Sequence, residues 1–166
     1  QPYWLSALED LASELKLEGQ VQFSIPLPHE ELPQLLAECD VGVVPLEACE
    51  RNQVQGGALA KASEYLAAGL PIVAADLPLT RELLDEPATL FYPPGDFSAL
   101  ADCLVRLAVD SNEREARGVQ ARPQAEAQVA TSVVTGQLLR LYTEVLGEPA
   151  PSDQRSHPPA PLEGTP

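Results

Sequence analysis

Two short, nearly continuous apolar runs, Val41-Gly42-Val43-Val44-Pro45 and Pro71-Ile72-Val73-Ala74-Ala75, constrain this chain more than any other feature. Strands without polar alternation are covered on both faces, which is the habit of parallel strands flanked by helices. Between the two runs, residues 58–68 read as a helix that closes at Gly69. Downstream, 79–84 reads as a short helix and 88–92 as a strand. Residues 97–109 form a helix behind Pro93-Pro94-Gly95-Asp96, a turn followed by a cap. Upstream, Leu5, Leu8, Leu11, Ala12 and Leu15 recur at three- and four-residue steps, predicting an amphipathic helix over 4–17 that ends at Gly19. Val21-Gln22-Phe23-Ser24-Ile25 alternates and stops at Pro26, predicting a strand, and a helix follows over 29–39. Helical stretches over about 112–128 and 132–146 complete an α/β domain with a parallel sheet and right-handed connections.

Composition narrows the class further. At 166 residues and 45% hydrophobic, the chain has material for one core rather than two. A net charge of −15 makes nucleic acid and anionic lipid unfavourable partners. No run approaches the roughly 20 apolar residues that span a bilayer, and no signal peptide is present, so a soluble protein is expected. Cys39, Cys49 and Cys103 are odd in number and lack Cys-x-x-Cys spacing, pointing to reduced thiols in a cytosolic compartment. None has a basic sequence neighbour, and all three are assigned to packing. After Gly147, Pro, Ser and charged residues dominate. Two segments are therefore expected, a folded domain over 1–147 and a disordered Pro-rich tail over 148–166.

Residues 56–74 place a glycine pair after one strand, then a helix start, then the next strand. Open parallel sheets bind ligands in the crevice at the carboxyl ends of their strands. Unpaired amides near Ala58 and Leu59 suit phosphate oxygens, aided by the helix dipole. Glu64, in the second turn, suits the vicinal hydroxyls of a ribose. Lys61 and Glu64, at i and i+3, more simply make a surface ion pair worth a few tenths of a kcal/mol. The residues alone leave both readings open.

The stretch Lys61-x-x-Glu64-Tyr65-Leu66-Ala67-Ala68-Gly69-Leu70-Pro71-Ile72-Val73-Ala74 resembles the donor-site segment of retaining glycosyltransferases of group 1, also called family 4. Val21-Gln22-Phe23, Pro28-His29-Glu30-Glu31-Leu32-Pro33-Gln34-Leu35-Leu36 and Cys39-Asp40-Val41-Gly42-Val43-Val44-Pro45-Leu46 resemble the preceding segments. Leu90-Phe91-Tyr92-Pro93-Pro94-Gly95-Asp96 and a closing helix with Leu141-Tyr142 resemble the following ones. The resemblance runs in order from about residue 5 to 146. It implies a partial Rossmann-like sheet from the C-terminal half of a transferase with two facing Rossmann-like domains (GT-B). It further implies Glu64 on the donor ribose, Gly57, Ala58 and Leu59 facing the diphosphate, Lys61 as a charge partner of the phosphates, and Ile25 beside the base.

By the same resemblance the parent enzyme moves a hexose or related sugar from a nucleoside diphosphate, with no cofactor or metal. The leaving diphosphate is stabilised by positive charge and amide dipoles. The acceptor would be read by an N-terminal domain outside these residues, so the chain is expected to be a fragment, inactive alone, and no catalytic residue is singled out. Three positions depart from the family. Gly56 stands where the Glu-x7-Glu motif has its first acid, Ser24 where a glycine is usual, and Ala60 where a proline is often found. A non-catalytic remnant or interaction module keeping the fold is the alternative.

Other chemistries find less support. Ser63 and His29 come without a Gly-x-Ser-x-Gly elbow, and no G-x-G-x-x-G signals a dinucleotide enzyme. Asp76, Glu82, Asp85 and Glu86 form an acidic patch that reads as either a divalent-cation site or solvated surface. Arg81 reads as either a site residue or a surface one.

Overall fold

In the computed structural model, residues 3–24, 27–55 and 59–147 are described. They fall into two compact units that divide between Cys39 and Asp40. The expectation of a tail over 148–166 lies outside the described residues.

In the first unit, α1 (Tyr3–Glu14) buries Leu5, whereas Leu8, Leu11 and Leu15 on the same stripe stay exposed. The helix stops before Gly19. Lys16 takes the left-handed conformation at φ 57°, with Leu17 N–H donating to Ala12 C=O and Lys16 N–H to Ser13 C=O. That is a Schellman ending with lysine at the position glycine usually fills. A 3-10 turn (His29–Glu31) leads into α2 (Leu32–Ala37), together shorter than the helix expected over 29–39. Residues 21–24 form no strand. A strand exists only through the ladder it shares with a neighbour, and no described segment pairs with them.

The second unit is built on three parallel strands in the order β1 (Gly42–Val44), β2 (Ile72–Ala75), β3 (Thr89–Tyr92). Gly42 pairs with Ile72, and Ile72 with Thr89. Every residue of the central strand is buried, as its unbroken apolar run requires. Ile72 and Ala74 face one side, packed with Val44, with Ala62 and Leu66 of α3 (Ala60–Ala68), and with Ala121 and Ala125 of a long helix, Ser111–Gln128. Val73 and Ala75 face the other side with Leu90, Tyr92 and Leu107 of the helix Phe97–Val109. Leu66, Ile72 and Leu107 are fully buried, and truncating any one to alanine costs about 2–5 kcal/mol.

The remaining helices are α4 (Pro78–Leu83), α5 (Phe97–Val109), α6 (Ser111–Gln128) and α7 (Thr131–Leu146). Asp96 caps α5 by accepting the Ala99 N–H at 2.9 Å, as Gly95-Asp96 predicts. Asp110 caps α6 in the same way through Glu113 N–H, and Arg106 and Arg117 clasp the Glu113 carboxylate across the corner. Gly69, at φ 74°, closes α3 with a Schellman pair, Gly69 N–H to Leu66 C=O and Leu70 N–H to Tyr65 C=O. Helix α6 crosses this turn at Gly118, where an added Cβ would stand 2.8 Å from the Gly69 carbonyl oxygen.

Candidate functional site

The parallel strands put three chain exits at one end of the sheet: Val44 into Pro45, Ala75 into Asp76, Tyr92 into Pro93. Helix α3 returns antiparallel to β1, so its N-terminal turn, Leu59 to Lys61, lies at that end. This is the place where the topology of an open parallel sheet collects ligand-binding groups. Leu59 is the N-cap residue, without a side-chain cap, and its carbonyl accepts both the N–H and the hydroxyl of Ser63. The amides of Ala60, Lys61 and Ala62 would find their helical acceptors at 56–58, outside the described residues. Gly57 and Ala58, expected to face a diphosphate, lie there too, and Ile25, expected beside a base, is likewise outside them.

Glu64 sits in the second turn of α3, half-buried, and Lys61 one turn earlier, exposed. The ion pair that their spacing allows is not formed, and neither side chain has a hydrogen-bond or ionic partner among the described residues. A carboxylate with no partner among the described residues retains its full capacity to accept hydrogen bonds. Its neighbour Tyr65 packs against the backbone of Gly42 in β1, which ties this turn of the helix to the sheet.

The acidic patch resolves differently. Arg81 donates to both oxygens of Asp76, at 2.7 and 3.0 Å, reaches Glu86 at 3.3 Å, and stacks 3.6 Å above the Phe91 ring. The guanidinium holds the Asp76 carboxyl below its ordinary range, chiefly by hydrogen bonding. Among the described residues no three His, Cys, Asp or Glu side chains gather as a metal would need. Arg81 is therefore the clasp of an ion-pair cluster, and two of the four carboxylates are committed to it. A cavity of about 250 Å³ lies beside the cluster, between Arg81 and Arg117, and a second of about 230 Å³ lies between α6 and the start of α7. Neither is lined by Leu59, Lys61 or Glu64.

Sequence reasoning passed over Thr80. Fully buried, its hydroxyl takes the Leu77 N–H at 3.1 Å and lies 2.6 Å from the Ala75 carbonyl, fixing the turn where β2 leaves the sheet. A threonine two residues after a proline that opens a helix was the available signal. The cysteines divide: Cys39 and Cys49 are exposed, against the packing role expected of them, while Cys103 is half-buried in the β2–α5 cluster. Burial pushes the Cys103 thiol up, outweighing Arg106 and Arg117 nearby, basic neighbours that only the fold supplies. No described helix is long and apolar enough to cross a membrane.

The model of the family described as Glycosyl transferases group 1 matches residues 2–110. A phosphatidyl-myo-inositol mannosyltransferase of Mycobacterium leprae (strain TN) is 42% identical over 83 residues, 49% of this chain and 22% of that protein. Among solved structures, sucrose-phosphate synthase from Thermosynechococcus elongatus superposes with a TM-score of 0.72 at 26% identity, covering 84% of this chain and 34% of its own. Anabaena HepE in complex with UDP superposes with a TM-score of 0.73 at 21% identity, over 84% of this chain and 36% of its own. The same protein with UDP and glucose gives the same score over 85% of this chain. This chain thus spans between about a fifth and a third of the relatives it matches.

Proposed function

The chain belongs to the glycosyl transferases of group 1 and carries part of the Rossmann-like parallel sheet of that fold, and from this membership we propose that it supplies donor-site residues to a retaining glycosyltransferase. The donor is a nucleoside-diphosphate sugar. Glu64 accepts hydrogen bonds from the ribose hydroxyls, Gly57, Ala58 and Leu59, which precede α3 in the sequence, face the diphosphate, Lys61 adds positive charge, and Ile25 borders the base. No metal enters this reading, because amide dipoles and positive charge carry the leaving diphosphate. No residue of this chain is assigned to the acceptor. Reduced, unpaired cysteines support a cytosolic site of action.

One observation carries the proposal: Glu64 is half-buried on the helix that starts at the carboxyl end of the sheet, and no described group neutralises it. A carboxylate with no partner among the described residues is free to accept hydrogen bonds from a ligand that supplies them. UDP bound to HepE, a protein of like fold, supports a nucleoside diphosphate as that supplier. The test is thermal protection of the 166-residue chain by UDP, GDP and ADP. Protection by one of them, lost in Glu64→Ala, is the expected result. No protection by any of the three contradicts the proposal and favours the second reading, a non-catalytic module. Gly56, standing where the family motif has its first acid, is the observation behind that second reading.

A further inference from the structure

Gly42 lies buried in β1, its N–H donating to the Pro71 carbonyl at 2.9 Å and its Cα paired with Ile72. On that backbone rests Tyr65, the residue that follows Glu64. A Cβ placed on Gly42 would stand 2.5 Å from Tyr65 Cδ2, 2.6 Å from Cγ and 3.0 Å from Cβ. Ordinary contacts between carbon atoms begin near 3.5 Å, so the ring lies about an ångström closer to the strand than any residue with a side chain permits.

Turning the ring does not relieve the approach. The tyrosine Cβ is itself at 3.0 Å, and its position is fixed by the helix backbone. The ladder to β2 and the Gly42 N–H to Pro71 C=O hydrogen bond tie this end of the strand into the sheet. The separation of α3 from β1 at this turn is thus set by the absence of a side chain at position 42. The far end of α3 is pinned separately by the Gly69 turn and by α6. An added methyl group at position 42 therefore presses on the turn of α3 that carries Glu64 and Tyr65.

We propose that Gly42 is a positioning residue for Glu64, seating Tyr65 so that the carboxylate is held at the distance from the sheet that ribose recognition needs. This rests on the reading of Glu64 as the ribose ligand. A displacement near 1 Å is enough to spoil hydrogen bonds to vicinal hydroxyls, because their donor–acceptor distances are confined to about 2.5–3.0 Å. Diphosphate binding at the helix start depends less on this seat.

The experiment compares, by calorimetric titration of the 166-residue chain, the protecting nucleoside diphosphate with its 2′,3′-dideoxy form. Wild type is expected to prefer the ribose form by about tenfold or more. In Gly42→Ala that preference falls severalfold while affinity for the dideoxy form is retained, and Gly42→Ala/Tyr65→Ala regains part of it. If Gly42→Ala does not fold, Tyr65→Ala alone is compared, and it too is expected to lose the preference. An unchanged preference, or an equal loss for both ligands, overturns the positioning role and leaves Gly42 as packing. A wild type that binds both forms equally overturns the ribose reading of Glu64 and this inference with it.

Discussion

Replacing Gly118 by alanine sets two effects of similar size against each other. Alanine is better than glycine inside a helix by about 1 kcal/mol. Against this, the new Cβ would lie 2.8 Å from the Gly69 carbonyl oxygen, short of an ordinary contact by roughly 0.6 Å, and 3.6 Å from Pro71 Cδ. That carbonyl belongs to a left-handed turn held by two backbone hydrogen bonds, so it gives way only at the expense of the α3 ending. Overpacking of this sort costs about 1–3 kcal/mol, and the rigidity of the turn argues for the upper half. Net destabilisation of about 1–2 kcal/mol follows. Gly136 in α7 is the control, because a Cβ there meets nothing within 4 Å. Gly136→Ala should stabilise by up to about 1 kcal/mol. At about 2–4 °C per kcal/mol for a chain of this size, the two melting temperatures should differ by several degrees, read by far-ultraviolet circular dichroism. If Gly118→Ala melts at or above wild type alongside Gly136→Ala, α6 does not press on the α3–β2 turn as described.

The helix ends and the α5–α6 corner give further tests. Asp96→Ala removes the cap on Ala99 N–H and should lower stability by about 1 kcal/mol in a urea titration, with the slope unchanged. Lys16→Gly relieves a left-handed lysine and should raise stability by about 1 kcal/mol in the same assay. Hydrogen bonding to Arg106, and next to Arg117, holds the Glu113 carboxyl below the ordinary glutamate range. A depressed folded-state pKa means the stabilisation is present above about pH 4 and is lost as pH falls through the folded value. Glu113→Gln should accordingly be less stable than wild type at neutral pH, with the gap closing in acid.

Elements whose pattern is local were legible in the sequence. The unbroken apolar run of β2 announced a strand buried on both faces, Gly69 announced the end of α3, and Gly95-Asp96 announced the cap of α5. What failed depended on partners that no local pattern encodes. Alternation in Val21–Ser24 signals a strand, but a ladder needs a neighbour and the described residues offer none. Glycine preference put the end of α1 at Gly19, whereas the backbone turned at Lys16, where the energetic penalty is small enough for the rest of the fold to outweigh. At the site, periodicity placed Glu64 in the second turn of α3, but its lack of a partner could not be read from a spacing that suits an ion pair equally well. The glycine seat under Tyr65 and the buried hydroxyl of Thr80 are tertiary facts, separated in sequence from what they touch.

The most direct measurement of the central claim is a double-mutant cycle between Glu64 and the ribose. Wild type and Glu64→Ala are each titrated with the protecting nucleoside diphosphate and with its 2′,3′-dideoxy form. Hydrogen bonds to a charged acceptor contribute about 1.5–3 kcal/mol each. A coupling of that size is expected, with the dideoxy form bound equally by both proteins. Equal loss of both ligands in Glu64→Ala, or no coupling, would contradict the assignment of Glu64 to the ribose of a sugar donor.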